Sequence, residues 1–233
     1  MQLDLMHCVN LQQTMDLFQP DDVAPTAPAT EPLAPGAMLL RGRATLDAVA
    51  LMVDLEAVLA RAPLRHMITP GGSRMSVAMS NCGALGWVSD GNGYRYEAVD
   101  PGSGRRWPAM PASFRRLARL AAAEAGFSGF EPDACLVNRY EPGARLTLHQ
   151  DRNESDFRQP IVSVSLGLPA VFLFGGPKRS DRPMRVPLMH GDVVVWGGPA
   201  RLNYHGVLAL KQGQHALTGN ARFNLTLRRG GVT

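Results

Sequence analysis

Ala144-Arg-Leu-Thr-Leu-His-Gln-Asp151 alternates polar and apolar residues. Arg145, Thr147, His149 and Asp151 fall on one parity, and Leu146 and Leu148 on the other. Residues i and i+2 of a strand point the same way. The stretch therefore predicts a strand with an apolar face, and an imidazole and a carboxylate together on the opposite face. Two imidazoles and one carboxylate leave half of an octahedral metal open. That set fits non-haem Fe(II) oxygenases, whose open positions take a cosubstrate and O2. The second imidazole must come from a distant segment, and His205, in Asn203-Tyr-His-Gly206 after a Gly-rich turn, is the candidate. Taken alone, H-x-D fits a solvated polar face as well, and His205 fits a hydrogen-bonded structural histidine.

Arg222-Phe-Asn-Leu-Thr-Leu-Arg228 adds weight. Arg222, Asn224, Thr226 and Arg228 share one face, backed by Phe223, Leu225 and Leu227. A strand of this length holds the two arginine Cα atoms roughly 20 Å apart, and inward-leaning side chains leave a gap on the order of a small diacid. Guanidinium binds carboxylate in a bidentate fork. The pair thus suits an anionic cosubstrate. The competing reading is two surface arginines that protect an edge strand.

From residue 134 onward the chain reads as strand after strand, with the clearest at 135–140, 145–150, 161–166, 170–174, 193–196 and 222–227. Glu141-Pro-Gly143 and His190-Gly-Asp192 mark turns. Many short strands with tight turns predict a jelly-roll barrel. Residues 64–107 alternate apolar runs with Gly-rich turns and read as hairpins. Two helices are expected. One spans 45–60, capped by Thr45, with Leu46, Val49, Ala50, Val53 and Ala57 as its apolar stripe. The other spans 111–125, with Pro111 at its start and Gly126 past its end. Phe114, Leu117, Ala118, Ala121 and Ala125 face its core, and Arg115, Arg116 and Arg119 form a solvated face. Five prolines within 20–36 read as an extended linker.

The chain of 233 residues is 45% hydrophobic, enough for a sizeable core. Its net charge of +4 permits a polyanionic partner without requiring one. Cys8, Cys82 and Cys135 are far apart and form no CxxC pair, so they suggest neither a structural zinc site nor a disulfide framework, which suits a reducing cytoplasm. No secretory leader and no apolar run long enough to span a membrane is visible.

A series of motifs then carries a resemblance. It comprises Met67-Ile-Thr-Pro-Gly-Gly72, Asn81-Cys-Gly-Ala-Leu-Gly-Trp87, Trp107-Pro-Ala-Met-Pro111, Pro132-Asp-Ala-Cys-Leu-Val-Asn-Arg-Tyr140, Leu148-His-Gln-Asp151, Ser163-Val-Ser-Leu-Gly-Leu-Pro169, His190-Gly-Asp-Val-Val-Val-Trp196 and Arg222–Arg228. In this order, from about Met15 to Arg229, the chain resembles the AlkB family of Fe(II)/2-oxoglutarate-dependent dioxygenases, with a pattern close to its bacterial members, which repair alkylated DNA. Met15-Asp-Leu-Phe18 is similar to the family's own start, which points to an upstream start codon here.

The resemblance implies an α+β, mainly β protein: a double-stranded β-helix (jelly-roll) barrel with flanking helices and an N-terminal nucleotide-recognition lid. Residues 1–36 would be an extension and Pro-rich linker, 37–110 a helix plus the lid, and 111–233 the dioxygenase core, with 37–233 one structural domain. It implies Fe(II) on His149, Asp151 and His205, and 2-oxoglutarate held by Arg222 and Arg228 with Asn138, Tyr140 and Asn224 around it. Arg222 would take the distal carboxylate and Arg228 the iron-proximal end. Trp87 and His149 would sandwich a flipped methylated base. Thr69 and Tyr94 would lie near the phosphate backbone, Met79 would line the pocket, and Arg152 and Arg179 would face substrate.

Three departures stand out. Asn153 occupies a position where close relatives carry a carboxylate near the base's exocyclic amine; an amide both donates and accepts. Ser73 replaces a larger aromatic, and Arg152 replaces a lysine. The implied activity is oxidative demethylation of N-alkylated bases such as 1-methyladenine and 3-methylcytosine, in single-stranded DNA with RNA as a second candidate. Formaldehyde and succinate would be released, with no obligate protein partner. The alternatives are the same chemistry on a protein or small molecule, and a non-catalytic nucleic-acid binder.

Overall fold

The computed structural model describes residues 29–231. The strands run β1 (Thr30–Ala34), β2 (Ala37–Leu40), β3 (Arg65–Ile68), β4 (Arg74–Gly83), β5 (Gly86–Asp90), β6 (Gly93–Glu97), β7 (Ala134–Tyr140), β8 (Leu146–His149), β9 (Ile161–Gly167), β10 (Ala170–Phe174), β11 (Met184–Leu188), β12 (Val193–Trp196), β13 (His205–Val207) and β14 (Arg222–Arg228). Helix α1 (Ala48–Arg61) lies between β2 and β3, and α2 (Ala112–Glu124) between β6 and β7. An eight-stranded sheet has the order β1-β2-β12-β9-β14-β7-β4-β3, and a four-stranded sheet the order β11-β10-β13-β8. Every pairing between named strands is antiparallel. The fold is the expected mainly-β jelly roll with flanking helices.

The position of β14 governs the site. It lies between β9 and β7, so both of its edges are paired. Leu225 and Leu227 join Val137, Val162 and Val164 against Leu51, Leu55, Phe114 and Leu117 of the two helices. The opposite parity carries Arg222, Asn224, Thr226 and Arg228 into the interior, all buried. A central strand has no free edge, which removes the reading of these arginines as edge protection. A second apolar cluster, including Phe172, Phe174, Leu188, Val194 and Trp196, fills the barrel beside them.

Strands β3 and β4 extend the large sheet next to β7, and β2 pairs with β12. Only β5 and β6 form a separate two-stranded ribbon. The described part of the Pro-rich stretch is no linker: Thr30–Ala34 pairs with Ala37–Leu40, and exposed Pro32 sits on an outermost strand, where a missing N–H is tolerated. Residues 1–28, including Met15–Phe18 and Cys8, lie outside the described residues.

The stripe expected for the first helix is on the wrong face. Leu46 is 100% exposed, and Val49 and Val53 are 65% and 62% exposed. The buried face is Ala48, Leu51, Met52, Leu55 and Val58. Both faces are apolar, and the sheet takes the one with the bulkier Leu and Met side chains, because it removes more area from water. Thr45 is not the cap either. Gly191, at φ +84°, brings its turn so close that a Cβ there would lie 2.1 Å from the Thr45 hydroxyl. Ala44 N–H donates to Gly191 O at 2.8 Å. Thr45 is thus packed into a turn, and the helix begins three residues later. The second helix buries Phe114, Leu117, Ala118 and Ala121 as expected, with Ala122 joining them and Ala125 partly covered.

The two faces of α1 give opposite expectations for alanine substitution. Leu55→Ala should cost about 2–5 kcal/mol through lost burial and the cavity left behind. Leu46→Ala should stay within about 0.5 kcal/mol. Urea unfolding of the two variants checks the assignment, and equal losses would contradict it.

Candidate active site

Antiparallel pairing of β8 with β13 sets His149 opposite His205, with ring centroids 4.4 Å apart. Asp151 follows two residues after His149. Ligand atoms of all three lie within 4.8 Å of one another. The Nε2 atoms of His149 and His205 each stand 3.7 Å from a different Asp151 oxygen. Each ring's Nδ1–H donates to a backbone carbonyl, Thr147 O at 2.8 Å and Asn203 O at 3.0 Å. That fixes the tautomer and leaves both Nε2 lone pairs free for a metal.

Charge at the triad is already arranged for a cation. Burial alone would push the Asp151 carboxyl up, but Arg228, His205, His149 and Arg201 outweigh it and hold the group well below the usual carboxylate range. Arg228 Nη2 donates to Asp151 Oδ2 at 2.5 Å. Burial lowers the His205 imidazole to about 4, with His149 adding to the effect and Asp151 opposing it. A neutral imidazole beside an ionised carboxylate is the state that ligates a divalent metal.

Arg222 is the least satisfied side chain of the site. It is 1% exposed, and its one side-chain hydrogen bond is from Nη2 to Ser165 Oγ at 2.8 Å. Its Nε and Nη1 have no partner, nor does Asn138 Oδ1. The Tyr140 ring lies 5.4 Å from its guanidinium carbon, and burial lifts the Tyr140 hydroxyl to about 12. A buried guanidinium with two idle donors calls for an anion. A carboxylate of 2-oxoglutarate fits that need. Asn224 is occupied with the scaffold, donating to Ser163 Oγ and Val164 O and accepting from Thr226 Oγ1.

The outer half of the site is aromatic and basic. Trp87 of β5 stacks on Tyr94 of β6, centroids 5.5 Å apart and planes 13° from parallel. Trp87 Nε1–H donates to Asn153 Oδ1 at 3.1 Å, and Asn153 Nδ2 to Tyr94 O at 3.3 Å. These partners are a donor only and an acceptor only, so they fix which way the amide faces. Thr69 Oγ1 accepts from Ser73 N–H at 3.1 Å and shapes the neighbouring loop. Arg179 lies over the Tyr204 ring at 5.8 Å.

Every site residue named from the sequence lines one cleft of about 940 Å³: the triad, Asn138, Tyr140, Arg222, Asn224, Arg228, Thr69, Met79, Trp87, Tyr94, Arg152, Asn153 and Arg179. Exposed Arg74 and Arg145 share its rim. Sequence reasoning passed over both as ligand contacts, although Arg145 shares strand parity with His149. It also missed buried Glu154 and Arg201, for which no local signal exists.

The fold and these donors define a class, the Fe(II)- and 2-oxoglutarate-dependent oxygenases, and comparison with known proteins agrees. The model of the 2OG-Fe(II) oxygenase superfamily matches residues 37–228. The chain is 56% identical over 215 residues to the alpha-ketoglutarate-dependent dioxygenase AlkB of Salmonella typhimurium, covering 92% of this chain and 97% of that protein. It is 55% identical over 217 residues to the Escherichia coli enzyme of the same name, covering 93% and 98%. A solved structure of OsALKBH1 superposes with a TM-score of 0.76 at 28% identity, covering 86% of this chain and 100% of that one. The protein belongs to the AlkB family, and its chemistry uses Fe(II), 2-oxoglutarate and O2.

A depressed His205 has a consequence for the metal-free protein. The unfolded chain takes up that proton near pH 6.5, the folded chain only near 4. The unfolded state therefore binds more protons between these values, and stability falls as pH drops through the window. The expected loss is about 2 kcal/mol between pH 7 and 5. Urea midpoints at the two pH values measure it, and His205→Gln should flatten the dependence.

Proposed function

We propose that this protein oxidatively removes N-linked methyl groups from nucleic-acid bases, with single-stranded DNA as the main substrate and RNA as a second. The observation that carries the reading is the convergence, on one cleft, of the His149/Asp151/His205 triad, the unpaired Arg222 and the Trp87 hairpin. A protein that only binds nucleic acid needs neither the triad nor a buried anion-seeking arginine.

In this reading His149, Asp151 and His205 hold the iron. Arg222 takes the distal carboxylate of 2-oxoglutarate, and Arg228 lies at the iron-proximal end. Asn138, Tyr140 and Asn224 shape the cosubstrate's chamber. When bound, iron, 2-oxoglutarate and O2 together oxidise the N-methyl carbon to an N-hydroxymethyl group, with succinate and CO2 as co-products. The N-hydroxymethyl base then loses formaldehyde, which leaves the repaired base. The protein binds, orients and excludes water.

Trp87 and His149 are the two walls for a flipped base, and Met79 lines its floor. A methyl group inside a stacked duplex is out of reach, and extruding the base costs a few kcal/mol, least from a single strand. Arg74, Arg145, Arg152 and Arg179 surround the mouth as exposed cations suited to a phosphate backbone. Thr69 and Tyr94 stand on the same rim. Among the described residues no helix is long and apolar enough to cross a membrane. Buried Cys82 and Cys135 face each other across β4 and β7 as free thiols, which supports a reducing cytoplasm.

Purified protein with Fe(II) and 2-oxoglutarate should release formaldehyde from a 1-methyladenine or 3-methylcytosine oligonucleotide; no release would refute the reading. Competition should rank methylated single-stranded DNA above duplex, with RNA in the same assay deciding its place.

Asn153 also carries a prediction. An amide presents a donor that a carboxylate lacks. Asn153→Asp should therefore shift kcat/KM toward 1-methyladenine and 3-methylcytosine, which carry an amine at purine C6 or pyrimidine C4, and away from 1-methylguanine and 3-methylthymine, which carry a carbonyl there, by roughly tenfold, the equivalent of one hydrogen bond. Parallel turnover on the four methylated bases reads that ratio.

A further inference from the structure

Glu154 sits three residues after Asp151, its side chain 2% exposed, and is not a member of the triad. It meets three groups from different parts of the chain. Tyr96 of β6 donates its hydroxyl to Glu154 Oε1 at 2.6 Å. Arg201 Nη2 donates to Oε2 at 2.9 Å. Arg228 Nε lies 3.6 Å from Oε1, while its Nη2 holds Asp151. Arg201 spends its other nitrogens on the same loop: Nη1 donates to Asp151 O at 2.7 Å and Nε to Gln159 O at 3.0 Å. The Tyr96 ring is pressed against Gly230, where a Cβ would come within 2.7 Å of it.

We propose that Glu154 is a positioning residue that ties the β5–β6 hairpin to the metal ligand Asp151. Two arguments support it. The first is charge. Arg201 and Arg228 are both buried beside the triad and would repel a divalent cation. Asp151 answers one of them, and Glu154 answers the other. Removing that second negative charge disfavours the cation directly and draws Arg228 harder onto Asp151, in competition with the metal. The second is connectivity. The hairpin carrying Trp87 contacts the metal-ligand loop through the exposed Asn153 amide and through the buried Tyr96–Glu154 bond. The buried bond is the stronger, because a carboxylate acceptor is charged and shielded from water.

This rests on Asp151 being an iron ligand, so the test reads metal binding and hairpin motion rather than turnover. Cobalt(II) alone is titrated into the metal-free full chain, against a chelator of known affinity. Glu154→Gln keeps shape and loses charge. It should weaken cobalt binding 10- to 100-fold, the range for groups supporting metal ligands, read well below the variant's Tm, which falls because buried Arg201 loses its carboxylate. Glu154→Asp restores the charge and should recover most of the affinity. Wild-type affinity in Glu154→Gln, or equal losses in both variants, overturns the proposal. Wild-type affinity in Asp151→Ala would overturn the ligand assignment and the proposal with it. Should Glu154→Gln fail to fold, Tyr96→Phe carries the test: amide exchange across Gly93–Glu97 should speed by about tenfold, and unchanged exchange overturns the tie.

Discussion

Burying two arginines on the central strand of a sheet is the constraint around which this molecule is arranged. A guanidinium removed from water is costly unless opposite charge and hydrogen bonds meet it. Arg228 is met by Asp151, with Glu154 close behind. Arg222 is met by one serine hydroxyl and an aromatic ring. The difference separates structure from function. Arg228, with a carboxylate partner and only Nε unpaired, organises the metal loop, and Arg222, with Nε and Nη1 unpaired and no carboxylate, is the one suited to an anionic ligand. The fold bears the strain of Arg222 because both neighbours of β14, and the helices behind it, fix the backbone in place.

That arrangement explains the two-layer design. The large sheet needs an apolar face for α1 and α2 and a polar face for the cosubstrate, and strict alternation on β14 provides both at once. The small sheet needs only to bring β8 and β13 together, since their pairing sets one histidine opposite the other. The iron triad is thus a product of register: a one-residue slip of β8 would turn His149 away from His205. Asp151, just past the strand end, is instead held by Arg228 and by the clamp of Arg201 on its backbone.

Much of this was legible in the residues because it is periodic. His149 and Asp151 share parity, as do Arg222 and Arg228, and a polar face inside a hydrophobic strand advertises itself. The helix at 48–61 was misread because both of its faces are apolar, and only the sheet decides which is covered. Thr30–Ala34 was misread because proline suggests a linker, yet an outermost strand accepts it. Glu154 and Arg201 left no trace, since their pairing exists only after β9–β12 has folded between them. Trp87 was legible solely through resemblance; an isolated tryptophan beside Gly-rich turns reads equally as core.

The site also divides by exposure, and the division bears on substrate choice. His205, Arg222 and Arg228 are buried and Asp151 is nearly so, and losing Asp151 or Arg228 leaves its partner's charge unpaired, so the inner half has little room to vary. Asn153, Arg152, Ser73, Arg74 and Arg145 are exposed, and substitutions there cost the fold little. Asn153, Arg152 and Ser73, the three positions singled out in the sequence, all fall in that outer half. His149 is the hinge between the halves. Its Nε2 faces Asp151 while its side chain, 38% exposed, borders the outer cleft. Substitutions on the rim can therefore leave the inner half undisturbed, because burial insulates the residues behind it.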